Sequence, residues 1–207
     1  MTDLKGTKLF SAFDENGDVK HGLPSTAYTN DDFYELEAGQ LFAKSWTFVG
    51  FANDLAQIGD VMPVRVAGQP LFLVRSANDK IRAFHNVCRH RNLKLVDEAH
   101  NCKNLITCPY HNWCYSLDGQ LRVAPFFGGS KTELPKQFRL EDHGLQEVTC
   151  RLYHDWLFVN LSGDAQAFEA HIAPLKKQLA DFDLDDFVVV VSIEFGEIKT
   201  NWKLLME

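Results

Sequence analysis

The chain has 207 residues, 45% hydrophobic and 24% charged, a soluble globular composition that excludes a disordered or fibrous protein. Its net charge of −7 argues against a nucleic-acid partner, and the longest unbroken apolar run, residues 187–191, is too short to cross a bilayer. Five cysteines, an odd number, with no visible signal peptide, argue against a disulfide framework and for metal ligation in a reducing cytoplasm.

Residues 1–28 read as an extended arm. Asp14-Glu15-Asn16-Gly17-Asp18 has the look of a calcium loop but fails, because Val19 stands where the loop needs Gly and Ser25 where it needs Glu. Thr29-x-x-Asp32 is a helix start, and the spacing predicts a helix over 30–44 with Phe33, Leu36 and Phe42 inward and Gly39 as its weak point. From Trp46 onward the pattern is short strands. Segments 61–66 and 70–75 are β-rich, Asn78-Asp79 turns the chain into 81–85, and Asp118-Gly119 predicts a hairpin between 113–117 and 121–123. Segments 145–152 and 156–161 form another pair, with His154-Asp155 at its tip. Such spacing predicts a mainly β domain, a small sandwich or barrel.

After Ser162-Gly163-Asp164 the pattern changes. Phe168 and Ile172 share a helical face, and Pro174 suits the first position of a second helix with Leu175, Leu179 and Phe182 inward. Residues 187–195 predict a strand, and 201–207 begin something new. The expected divisions are 1–45, 46–163 and 164–207.

Four residues carry the chemistry: Cys88-x-His90 and Cys108-x-x-His111. Each of two loops offers one thiol and one imidazole. A structural zinc site is one metal reading, although zinc fingers usually pair Cys with Cys and His with His along the chain. A [2Fe–2S] cluster with two thiolates on one iron and two imidazoles on the other suits the mixed pairs better. Other ionisable groups are weaker candidates. Asp97-Glu98-Ala99-His100 reads as a solvated turn, His85 as a strand end near the site, His143 as a loop residue, and Cys102, Cys114 and Cys150 as structural thiols. Arg89, Arg91 and Lys94 form a basic knot that reads as a solubilising surface or as a docking patch for an acidic electron donor.

Cys88-Arg89-His90-Arg91 through Cys108-Pro109-Tyr110-His111-Asn112-Trp113 resembles the Rieske domain of non-haem iron ring-hydroxylating oxygenase α subunits. Leu23-Pro24, Tyr28-Thr29, Trp46-x-x-Val49-Gly50 and Ala83-Phe84-His85-Asn86-Val87 extend the match, and Asn201-Trp202-Lys203 resembles the opening helix of the family's α+β catalytic domain. Where the family usually has Gly after the second His, this chain has Asn112, the next best residue for a left-handed backbone. Quinol-oxidising Rieske proteins carry an extra cysteine in each loop; here those positions hold Leu93 and Tyr110.

The resemblance implies that Cys88 and Cys108 hold an inner iron, and His90 and His111 an outer one. It implies an electron-entry role, with NAD(P)H-derived electrons arriving from a reductase or ferredoxin. They would pass to a mononuclear Fe(II) for O₂-dependent hydroxylation of a small organic substrate, of quaternary-amine or aromatic type, in a homotrimer. The residues that hold that iron in the family are expected beyond Glu207, so the chain is expected to be a truncation without oxygenase activity of its own. High-potential Rieske proteins place Ser at the position of Trp113 and a hydroxyl donor at that of Tyr115, so a low potential is expected. The alternative is a stand-alone Rieske ferredoxin, which leaves the 30–44 helix, the 187–195 segment and the Asn-Trp-Lys motif unexplained.

Overall fold

The structure is a computed structural model that describes residues 22–184, 187, 193, 196 and 198–206. Two compact units are present, Phe42–Val188 and a smaller one formed by Met1–Leu41 with Val189–Glu207.

Among the described residues the larger unit has ten strands: β1 (Thr47–Phe51), β2 (Asp60–Val66), β3 (Gln69–Arg75), β4 (Ile81–His85), β5 (His100–Asn101), β6 (Leu105–Thr107), β7 (Cys114–Ser116), β8 (Leu121–Val123), β9 (Glu147–Tyr153) and β10 (Trp156–Asn160). They form a seven-stranded sheet in the order β1-β10-β9-β4-β3-β2-β5 and a three-stranded sheet in the order β6-β7-β8. Every pairing is antiparallel. The mainly β expectation is met, the larger sheet curling on itself so that β1 also meets β2.

The alternation of side chains along β3 decides how the layers stack. Phe72 and Val74 point into one core with Phe84, Trp113 and Tyr115, while Leu71 and Leu73 point into a second core with Ala83, Leu157 and Val159. A strand buried on both faces reads as a continuous apolar run, as Leu71-Phe72-Leu73-Val74 does. The first core lies under the small sheet, and it is this layer that positions the Cys/His loops. A third cluster packs helix α3 (Phe168–Gln178) through Phe168 and Ile172 onto Trp46 and Phe158.

The turns follow the residue chemistry. Tyr153 pairs with Trp156 across a two-residue tip at His154-Asp155, where His154 takes φ 49°. Gly119 turns β7 into β8 with φ +83°, and an added Cβ there would meet Phe84 ring carbons at 2.5 Å.

Several expectations need correction. The helix over 30–44 is shorter and broken: a turn at Thr26–Thr29 (α1) precedes Asp31–Glu37 (α2), followed by a π-turn at Ala38–Phe42. The cap is Asn30, whose side chain accepts from Phe33 N at 2.9 Å, so Thr29 is not the cap. Phe33 is buried, but Leu36 and Phe42 are only half-buried, Phe42 lying at the end of a wider turn that shifts the helical phase. Pro174 does not open a second helix but lies inside α3. An interior proline forfeits a backbone bond, at a cost of about 3 kcal/mol in an isolated helix, and here the packing of Phe168 and Ile172 offsets it. Leu175 and Leu179 are half-buried and Phe182 is exposed. The segment expected as a helix at 201–207 is a 3-10 turn, Trp202–Leu205, capped by the Asn201 side chain on Lys203 N. The expected strand at 187–195 and the Asp14–Asp18 loop lie outside the described residues, Phe187 and Ile193 excepted, and both of these are exposed.

In the smaller unit, Lys203 Nζ donates to both Glu37 oxygens at 2.7 and 2.9 Å, with side chains 10% and 11% exposed. Trp202 Nε1 adds a third donor to Glu37, and the ammonium sits over the rings of Tyr28, Phe33 and Trp202. Among the described residues no helix is long and apolar enough to cross a membrane.

Gly119→Ala should cost about 3 kcal/mol or more, combining left-handed strain with a clash in a packed core. Gly163→Ala, at φ +73° with open space around it, should cost only about 1–2 kcal/mol. Urea midpoints of the two variants check the contrast.

Candidate metal centre

Two loops present the four sequence-flagged side chains, and their backbones are near copies. In the first, Cys88 N donates to Leu93 O at 2.8 Å and Asn92 N donates to Cys88 O at 3.0 Å. In the second, Cys108 N donates to Trp113 O at 2.8 Å and Asn112 N donates to Cys108 O at 3.0 Å. Each turn needs a left-handed residue four places after its cysteine, and each has asparagine there, Asn92 at φ 58° and Asn112 at φ 54°. Asparagine tolerates that region because its short polar side chain bonds locally. The departure at Asn112 therefore keeps the backbone that glycine would give.

The first loop is held from below by Asn86, which is fully buried at the end of β4. Its side-chain oxygen accepts from Leu95 N and Val96 N, both at 2.9 Å, and its amide donates to Val96 O at 2.7 Å. Asn86 was visible in the sequence only as part of a resembling stretch; nothing about a lone Asn after a strand announces a buried hub.

The thiols point inward and the imidazoles outward. Cys88 and Cys108 are 1% and 2% exposed, and their side chains touch. Burial pushes the Cys108 thiol up, opposed by the backbone N–H groups of Tyr110 and His111 and reinforced by Cys88. His90 and His111 are half-buried, with ring centroids 4.7 Å apart. Burial, then the neighbouring His111 and Arg91, hold the His90 pKa below its usual value, which favours the neutral ring a metal requires. His111 Nδ1 is buried with no hydrogen-bond partner among the described residues. Tyr115, wholly buried, accepts from Arg89 N at 3.0 Å and sits with its hydroxyl 3.3 Å from Cys88 Sγ. With its lone pair taken by Arg89, the hydroxyl proton is free to point at the sulfur.

These residues fit a two-iron cluster. Among the described residues no three or more of His, Cys, Asp and Glu are placed to hold a single ion. The four donors instead pair as two touching thiols and two neighbouring imidazoles, with an unpartnered ring nitrogen beside them.

Residues 45–136 match the model of the Rieske [2Fe-2S] domain. The chain is 34% identical over 187 residues to the glycine betaine monooxygenase oxygenase subunit of Chromohalobacter salexigens, covering 90% of this chain and 40% of that one. It is 31% identical over 202 residues to the carnitine monooxygenase oxygenase subunit of Acinetobacter baumannii, covering 97% and 53%. The chain carries a Rieske [2Fe–2S] domain. The apo form of a quaternary ammonium Rieske monooxygenase superposes with a TM-score of 0.72 at 31% identity, over 80% of this chain and 47% of that one. The chain spans about half the length of the curated relatives it matches, and its cofactor is a Rieske [2Fe–2S] cluster.

The other flagged groups do not join the centre. His100, exposed at the start of β5 and not in the expected turn, bonds Glu98 O, Lys94 pairs with Asp97 at 3.2 Å, and Cys102 and Cys150 are pushed up by burial to about 11 and about 12. Arg89 and Arg91 are exposed on either side of His90. His143, expected as a loop residue, lies in a 3-10 turn and stacks on Phe138 at 4.2 Å.

Asn86→Leu should cost about 2–5 kcal/mol, because two buried N–H groups lose their acceptor. Asn86→Asp keeps that acceptor and should cost less. Asn112→Gly should be near neutral, whereas Asn112→Val should cost about 1–2 kcal/mol. Urea titrations rank the four.

Proposed function

We propose that Cys88 and Cys108 hold the inner iron of the cluster and His90 and His111 the outer one. We propose further that the chain is the electron-entry part of an oxygenase α subunit. The observation that carries the ligand assignment is the pairing of two buried, touching thiols with two adjacent half-exposed imidazoles. The bound cluster supplies one-electron storage.

The protein's own residues then govern how that electron is held and exchanged. Cys88 and Cys108 seat the cluster below the surface, while His90 and His111 reach the half-exposed edge where an electron is received or passed on. Arg89 and Arg91 make this edge locally basic on a chain of net charge −7, which suits an acidic donor. That donor is a reductase or ferredoxin drawing on NAD(P)H. In the whole protein the electrons go to a mononuclear non-haem iron for O₂-dependent hydroxylation of a small organic substrate, in an α₃ assembly. The betaine and carnitine relatives favour a quaternary ammonium substrate. A stand-alone ferredoxin does not account for similarity that covers 97% of the chain, well outside residues 45–136.

Protein purified anaerobically should contain two irons and two acid-labile sulfides per chain, with a rhombic EPR signal of low average g when reduced. Stoichiometric zinc without sulfide, from an iron-replete preparation, would overturn the assignment. The midpoint potential should lie low in the Rieske range, roughly −150 to 0 mV. Tyr115→Phe should lower it further, because a hydroxyl donating to Cys88 Sγ stabilises the more negative reduced state. Protein-film voltammetry reads both values.

A further inference from the structure

The two loops share a backbone but not the covering of their histidines. The Trp113 indole lies face to face with the His90 imidazole, 4.7 Å between centroids and 6° between planes. Trp113 is 2% exposed, and the rings of Phe127 and Phe138 meet it edge-on at 5.4 and 5.7 Å. Phe127 also meets His90 edge-on at 5.8 Å, so the imidazole has an aromatic face on one side and an aromatic edge on another. His111 is treated differently. Its ring neighbour besides His90 is Tyr110, tilted by 44° and 56% exposed. The place that Trp113 holds in the second loop is held in the first by Leu93, which is exposed and has no ring.

The torsion that turns an imidazole about its Cβ–Cγ bond is broad, so the ring plane has to be set from outside. A metal-bound histidine is usually oriented by a hydrogen bond to its second nitrogen. At His90 the structure offers a flat stack on a buried, clamped indole.

We propose that Trp113 is the positioning residue for His90, its indole face setting the imidazole plane relative to the outer iron, while His111 has no equivalent brace among the described residues. The proposal rests on the ligand assignment made above. It predicts that the two histidines respond separately to substitution, which loss of general packing would not produce.

The test uses the whole chain with its cluster and four proteins: wild type, Trp113→Phe, Trp113→Leu and Phe138→Leu. Iron and sulfide are counted first, and the couplings of the directly bonded nitrogens in the reduced cluster are then measured by pulsed EPR. Wild type and Trp113→Phe, which keeps a flat ring, should show two well-defined nitrogen couplings. Trp113→Leu should shift and broaden one and leave the other in place. Phe138→Leu, which loosens the indole without touching either histidine, should broaden the same coupling by less. Full iron with both couplings unchanged in Trp113→Leu, or both altered alike, overturns the proposal. Should Trp113→Leu fail to load, an unbroadened Phe138→Leu spectrum overturns it. A wild-type protein lacking iron, or showing fewer than two bonded nitrogens, would instead sink the ligand assignment itself.

Discussion

The hydrogen bond from each cysteine N–H to the carbonyl five residues ahead is the constraint on which the centre depends. It closes each loop into a tight turn, and the next bond, from the asparagine N–H back to the cysteine carbonyl, goes with the left-handed residue four places after each cysteine. Once both turns are closed, the cysteine side chains have one direction left, into the core beneath the small sheet. The histidines fall on the outer side of the same turns. Buried sulfur and half-exposed imidazole are therefore consequences of a backbone pattern used twice.

Such turns need a stiff base. Phe72 and Phe84 rise from β3 and β4 into the same core as Cys88, Cys108 and Tyr115, so the loops rest on the central strands of the larger sheet. Asn86 finishes this base. It replaces sheet hydrogen bonding where β4 ends, satisfying two N–H groups that have no strand to pair with. A buried amide with three good partners is a rigid element, and here it fixes the chain four residues before His90.

Much of this was legible in the residues because local chemistry decided it. Asp118-Gly119 and His154-Asp155 mark turns whose backbone other residues resist, and the Cys-x-His and Cys-x-x-His spacings name four donors at once. Asn112 also announced its own conformation, being a residue that accepts φ near 54°. What was not legible depends on tertiary packing. Pro174 looks like a helix start from its chemistry alone, and only the docking of Phe168 and Ile172 onto Trp46 and Phe158 explains a helix that runs through it. The break after Glu37 depends on how Gly39 is accommodated, which periodicity does not encode. The aromatic cluster around Trp113 combines Phe127, Phe138 and His143 from a long irregular segment, where spacing carries no information about which rings will meet.

The Glu37–Lys203 pair bears on how the chain acquires its structure during synthesis. Its partners are separated by 166 positions in sequence. At about 5–20 residues per second, translation leaves roughly 8–33 s between the emergence of the two. Throughout that interval the Glu37 carboxylate lacks the Lys203 ammonium, and Tyr28 and Phe33 have only part of the cage they later form. A two-turn helix such as α2 is too short to persist in water unaided. The segment from Tyr28 to Glu37 therefore waits for residues 201–203, while the sheet that carries the cysteine and histidine loops, complete by Asn160, can already have closed.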